Sequence, residues 1–488
     1  MYRRNQWDSA LVHYNRAVEL DSGFALAQFR MWVTLGWHPR TLDNYRSPDW
    51  FAARAIDLNH GLSPHDSLLI ASMPERADTG AAEELVRRYP GDPEAWLALG
   101  EALFHNPDTM PRAAECLPAF ERAIALDSGF VPAYKHILGL ALRVGGTDLA
   151  RKYARAFLSL NPAQAQDDEI RVAALLLEPA TEGKAADSAL VAGLSAVQLY
   201  EVAAEHLDLL MDSTETAVRL LRSLVAGGHS RAGAPDWVAD SLMWPQYLAS
   251  ALVLRGHLRE AYRVLLGAPR RTGPQPAYAG WMDPSSALAL MGAVPEDSAN
   301  ARFQRRGVPG VGFIESSLAW WLARRDTTRL LRFASQAATV ARADHDQDKR
   351  RVAGYQEGAA RAYLILIRGD SVAALRSLTA LPDSACLLTG CFFERLTEAR
   401  LLAASGDLFT AARIYDRWRF GTPYGTPLWI IATLEQGRVA ERQGDNKVAL
   451  KAYQFVLDAW RNADPELQAY TSEAREGLTR LTSEGKQK

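Results

Sequence analysis

The sequence predicts an all-α protein, an α-solenoid of stacked helical pairs. Three observations carry that expectation: an internal duplication, a recurring glycine-to-alanine step, and one apolar stripe on each predicted helix. The duplication is RAVELDSGFALA, Arg16–Ala27, against RAIALDSGFVPA, Arg122–Ala133, identical at eight of twelve positions. The offset of 106 residues is close to three units of about 35 residues, the period of helix–turn–helix repeats.

The glycine-to-alanine step recurs further along. Gly369-Asp370, Gly406-Asp407 and Gly444-Asp445 are each followed by alanine five residues after the glycine, at Ala374, Ala411 and Ala449. Gly145/Ala150 and Gly256/Ala261 repeat the step, and Asn5/Ala10 repeats it with asparagine in the glycine's place. Glycine is the residue that ends a helix in the left-handed conformation at least cost. The alanine then falls one turn into the next helix, where two paired helices approach too closely for a larger side chain. Bulky residues follow at helical spacing, as in Ala411, Tyr415, Trp418 and in Ala449, Tyr453, Val456, giving one apolar stripe per helix.

These units resemble the tetratricopeptide repeat. Trp96-Leu97-Ala98-Leu99-Gly100 with Phe104 matches the first-helix signature of that family. Ala150, Ala154, Phe157 and Pro162 match its second-helix positions, and Tyr134 to Pro162 has the family's spacing of 28 residues. The resemblance is strong over residues 1–27, 94–162 and 363–461, weak over 163–245, and absent from 268–312. It implies a non-catalytic scaffold whose first helices line a concave groove.

The expected organisation has four parts. Residues 1–162 form an N-terminal repeat block, and 163–267 a run of degenerate helical repeats. Residues 268–312 form a Pro/Gly-rich connector containing a short helix from Ser285 to Met291. Residues 313–488 form a C-terminal repeat block. The connector includes APRRTGPQPAYAGWMDP and RRGVPGVG, a Pro/Gly density that forbids long helices. The first unit looks incomplete. Asp8–Asp21 has the character of a second helix with too few residues before it for a partner. That predicts an apolar face containing Tyr14 and Val18, either exposed and available for self-association or covered by a later segment of the chain or a second subunit. It also predicts that the chain is a fragment of a longer protein or carries a misassigned start.

Composition narrows the functional classes. In 488 residues, 55 basic and 57 acidic side chains give a net charge of −2, so no electrostatic footprint for nucleic acid is present. No apolar run approaches the ~18 residues that span a bilayer. The N-terminus, MYRRNQWDSALVHY, has no apolar core after its arginines and is not a secretory leader. As written, the chain is expected in the cytoplasm.

The search for chemistry is mostly negative. The sequence contains no GxxxxGK[ST], HExxH, GxSxG, or kinase catalytic motif, so no catalytic or cofactor-binding residue is assigned. His345, Asp346 and Asp348 lie in one charged stretch and are read as an inter-helix loop, because a metal site needs ligands converging from several directions. No metal ligand is assigned. Cys386 and Cys391 bracket the loop ACLLTGC: two idle thiols in a reducing compartment, a local disulfide in an oxidising one. Most of the thirteen tryptophans are expected in the core, with Trp281 in the Pro/Gly stretch the one most expected at the surface.

In some tetratricopeptide proteins, Lys and Asn on the first helices clamp a peptide's C-terminal carboxylate. The corresponding groove-facing residues here are Glu94, Leu97, Glu101, His105 and Lys135. The asparagines are missing, which argues against that clamp. A narrower resemblance, to the C-terminal repeat regions of bacterial serine/threonine protein kinases, rests on Leu85–His105, Trp320–Thr327 and Tyr453–Leu478. It implies a parent with an N-terminal kinase and often a membrane helix, which would place this region outside the cytoplasm. The alternative parent is a transcriptional activator with a separate DNA-binding domain. In either, the expected partner is a protein or peptide seated in the groove.

Overall fold

A computed structural model describes residues 1–37, 45–73, 79–105, 113–161, 167–177, 218, 221–222, 225, 243–267, 285–306, 317–385, 391–418 and 428–484. Among these residues there is no β-strand, and the fold is an all-α solenoid of helical pairs. The chain divides into two compact units, Met1–Thr216 with Gly227–Asp240, and Ala217–Ala226 with Ser241–Lys488.

In the first unit the helices are α1 (Trp7–Leu20), α2 (Ala25–Trp37), α3 (Pro48–Asp57), α4 (Pro64–Ala71), α5 (Gly80–Arg88), α6 (Pro93–Phe104), α7 (Ala113–Leu126), α8 (Tyr134–Leu158) and α9 (Asp168–Leu177). Three of them begin on the same local signal. Ser47, Ser63 and Asp92 each precede a proline, and their side chains accept the N–H of Trp50, Asp66 and Glu94. Proline at the first helical position has no N–H to lose, and the cap satisfies one orphan donor behind it. Successive helices pack on one another, and α2 also reaches α4.

A straight helix over the 25 residues of α8 would run about 37 Å. Yet the rings of Tyr134 and Phe157, at its two ends, lie 5.5 Å apart. The span therefore cannot be one straight helix. Ala150 within it is fully buried.

Of the two expectations for the N-terminal face, cover by a later segment is the one met: Tyr14 and Val18, both partly buried, pack against Leu11, Met31, Leu35 and Phe51 of α1, α2 and α3. A 3-10 turn, Tyr2–Arg4, precedes α1 and buries Tyr2 edge-on against Trp7, 5.9 Å between ring centroids. Asn5 takes the left-handed conformation at φ 53°. Its Nδ2 donates to Asp167 at 2.7 Å, and Arg3 pairs with Asp127 at 2.6 Å. These long-range partners hold the start of the chain.

In the second unit the helices are α10 (Met243–Leu254), α11 (Leu258–Gly267), α12 (Ser285–Leu290), α13 (Glu296–Arg306), α14 (Ser317–Ala323), α15 (Thr327–Ala343), α16 (Gln347–Ile367), α17 (Ser371–Thr379), α18 (Phe392–Ser405), α19 (Leu408–Trp418), α20 (Leu428–Gln443), α21 (Asn446–Ala459) and α22 (Gln468–Glu484). Gly369, Gly406 and Gly444 all have φ between 78° and 94°. The aspartate after each accepts an N–H three residues on, from Ala373, Thr410 and Val448. Each Gly-Asp pair thus closes one helix and caps the next. Ala374, Ala411 and Ala449 are fully buried at the helix crossings.

Ion pairs repeat with the same period. Arg400 on α18 meets Glu435 on α20 at 2.7 Å, and Arg438 on α20 meets Glu473 on α22 at 2.6 Å, each 35 residues apart. Both steps join the first helices of neighbouring pairs.

Helices α10 and α11 belong to the second compact unit. The Asp464 N–H donates to the Gly256 carbonyl at 2.9 Å, and Arg259 pairs with Glu466 at 2.9 Å. Gly256 has φ 79°, and a Cβ there would come 2.6 Å from the Cβ of Ala463. Partners about two hundred residues away leave no trace in local composition. The short helix expected after Ser285 is α12, and a second helix, α13, follows it.

Candidate functional site

Helix α6 carries Glu101, and His105, four residues on, caps its C-terminus, so both project from one face. The first turn of α8, where the next pair begins, brings His136 to the same place. His105 Nε2 lies 3.4 Å from Glu101 Oε2, and His136 Nε2 lies 3.6 Å from Glu101 Oε1. One coordinating atom from each of the three residues lies within 4.8 Å of the others, the one such cluster of histidine, cysteine and acidic side chains among the described residues.

The environment is dry on one side and open on the other. Glu101 is only 8% exposed, whereas the His105 side chain is 46% exposed. Phe104 stacks on His136 at 4.2 Å with 18° between planes. Phe120 and Trp37 meet the His136 ring edge-on at 5.9 and 6.5 Å. Glu101 Oε1 receives no hydrogen bond. Burial pushes the Glu101 carboxyl up, but the facing His136 and the contacts from His105 outweigh it and hold it at about 2.

The other groove candidates fall nearby but differently. Glu94 pairs with Arg30 of α2, whose guanidinium also lies 4.7 Å over the Tyr2 ring. Leu97 and Lys135 are buried. Of the five residues expected to face a groove, His105 alone is exposed. His136 went unassigned, because it stands 31 residues from His105 on another helical pair. The Glu101/His105 spacing was the visible half of the signal.

The remaining candidates carry less. Asp346 accepts the Lys349 N–H at 3.2 Å and so caps the start of α16, while His345 beside it is exposed. Cys391 is buried and disulfide-bonded, and Cys116 is buried and not in a disulfide. Cys386 and Trp281 lie outside the described residues. Trp320 and Trp460 are buried in the core, and Trp50 is exposed.

Arg395 is one of several charged groups buried in the second unit. It pairs with Glu398 at 2.7 Å and Asp383 at 2.5 Å, and also donates to the carbonyls of Leu378 and Leu381. With all these partners satisfied, it is a structural clamp between the end of α17 and α18. No described helix is long and apolar enough to cross a membrane.

No protein-family model and no curated protein sequence matches the chain. Solved structures with some likeness include the TPR domain of P58(IPK), at 14% identity and TM-score 0.23, covering 88% of this chain and 98% of that one. The APC/C hetero-tetramer Cut9–Hcn1 gives 10% identity and TM-score 0.29, with 98% and 95% covered. Naa15/Naa10 bound to HypK-THB gives 14% identity and TM-score 0.21, with 99% and 80% covered. The fold assignment rests on this chain's own helical pairs.

Proposed function

We propose that the chain is a non-catalytic protein–protein interaction scaffold. The observation that carries this reading is the continuity of the first-helix rows, as in α18, α20 and α22 joined by Arg400–Glu435 and Arg438–Glu473. Stacked pairs of this kind present an extended surface that no single pair could offer, suited to an extended peptide or a partner helix.

A photo-crosslinking side chain at His105, on a first helix, is compared with one at Arg122, an exposed position on a second helix. The scaffold reading expects a protein captured from His105 and not from Arg122, which then binds the purified chain directly. Equal capture from both positions, or capture that purified components do not reproduce, would refute it. Detectable turnover by the purified chain would refute the non-catalytic part.

We infer further that the parent is a serine/threonine protein kinase, on the segments Leu85–His105, Trp320–Thr327 and Tyr453–Leu478. Genomic sequence upstream of Met1 tests this. A kinase signature supports it, and a winged-helix pattern transfers the chain to a transcriptional activator. A kinase parent with a membrane helix would place the scaffold outside the cytoplasm.

A further inference from the structure

We propose that Glu101, His105 and His136 form a binding site for a divalent transition-metal ion of the zinc class. The site goes beyond the scaffold reading and does not depend on it.

The donor set is the first argument. Two imidazoles and one carboxylate match the borderline character of Zn²⁺ and its neighbours, whereas Ca²⁺ and Mg²⁺ call for oxygen ligands. The spacing is the second. A tetrahedral ion with metal–ligand bonds near 2.0–2.2 Å holds its ligand atoms about 3.3 Å apart. His105 stands 3.4 Å from Oε2 and His136 3.6 Å from Oε1 of Glu101, and one donor atom from each of the three residues lies within 4.8 Å of the others, so a small shift would close the set around an ion. The two contacts to Glu101 are also longer than a good charge-assisted hydrogen bond, which runs about 2.7–2.9 Å. The three groups have converged without bonding well to one another.

The third argument is independent of the cluster's composition. Glu101 Oε1 is buried and receives no hydrogen bond. An unsatisfied buried carboxylate oxygen is costly, and a metal ion centred among the three side chains would satisfy it directly. The ligands also come from two helical pairs. They converge from different directions, as the single loop at His345–Asp348 does not. The Phe104, Phe120 and Trp37 rings around His136 supply the apolar shell that fixes ligand orientation. Exposure of His105 leaves a path for entry. Three protein ligands leave a fourth position for water or for a donor from a bound partner.

The test uses the full chain, purified and stripped of metal, titrated with Zn²⁺ and with Co²⁺ in the absence of reductant so that freed thiols do not compete. One ion per chain is expected, with the visible absorption of four-coordinate Co²⁺ and a rise in Tm with Zn²⁺. His105→Ala removes an exposed ligand without opening the core and should weaken binding at least tenfold. Glu101→Gln should weaken it similarly and is read only if its circular dichroism matches the parent. A control variant lacking the exposed His13 and His60 should bind as the parent does. Absence of uptake by the folded parent overturns the proposal. Uptake undiminished by His105→Ala also overturns it, because the ion then sits elsewhere.

Discussion

Gly437 on α20 faces the ring of Tyr453 on α21 so closely that a Cβ there would lie 2.7 Å from Cε1 of the tyrosine. Gly477 on α22 presses on the other edge of the same ring. Glycine inside a helix costs about 1 kcal/mol against alanine, so its presence needs a packing reason, and here the ring supplies one. Gly437→Ala recovers the propensity but forces the buried ring aside, an overpacking cost of about 1–3 kcal/mol. The sum is net destabilisation. Gly354 on α16 provides the opposite case, since a Cβ there meets nothing within 4 Å. Gly354→Ala should stabilise by up to about 1 kcal/mol. Denaturant midpoints decide both, and the same sign for the two substitutions would defeat the argument.

The parts of the fold set by local chemistry were readable in the sequence. Gly369, Gly406 and Gly444 end helices, their aspartates cap the next, and Ala374, Ala411 and Ala449 sit at crossings; each rule spans fewer than six residues. What escaped depends on distant partners. Nothing local to Gly256 announces Asp464, and nothing near Tyr2 announces Arg30. The candidate site was half legible for the same reason. Glu101 and His105 share a helix face, while His136 joins them only when the next pair stacks. Repeat position gives the direction of a side chain and not what the neighbouring helix places over it, as Arg30 does at Glu94.

The two 35-residue ion pairs should differ in strength. Glu435 is largely buried, takes Arg400 through several hydrogen bonds and also accepts the Tyr415 hydroxyl at 2.9 Å. Glu473, the partner of Arg438, is over a third exposed. Arg400→Ala leaves a buried carboxylate short of its cation and should cost about 1–3 kcal/mol. Arg438→Ala should cost less than about 1 kcal/mol. Chemical denaturation of both variants tests the ranking; equal losses would mean that burial of Glu435 is not what sets the difference.

Thiol counting tests the cysteines. With Cys391 disulfide-bonded and Cys116 not in a disulfide, we expect Cys386 as the partner of Cys391 in protein from an oxidising compartment. The unfolded chain should then alkylate at one cysteine without reductant and at all three with it. Closing so short a loop should contribute about 2 kcal/mol, lost on reduction. Three reactive thiols before reduction would rule the bond out and favour a reducing compartment.

His65 should make stability depend on pH. Its Nε2 lies 2.8 Å from Asp92, the cap of α6, and its Nδ1 lies 3.1 Å from Asp66. Both ring nitrogens can donate only when the imidazole is protonated. Burial pushes the His65 pKa down, but the hydrogen bonds and charges of Asp92 and Asp66 outweigh it, leaving the pKa above 6.5. A pKa raised on folding means that the protonated form stabilises the native state. That contribution is complete below the unfolded value and disappears as pH rises through the folded one. His65→Gln should therefore cost more near pH ~5.5 than near pH ~8.5, either side of the ordinary histidine value. The difference should be about 0.5–1 kcal/mol, because the group is partly solvated. Thermal melts of parent and variant at the two pH values measure it. An equal loss at both would mean that the Asp92 and Asp66 contacts are made by neutral imidazole, with no charge holding α4 to the start of α6.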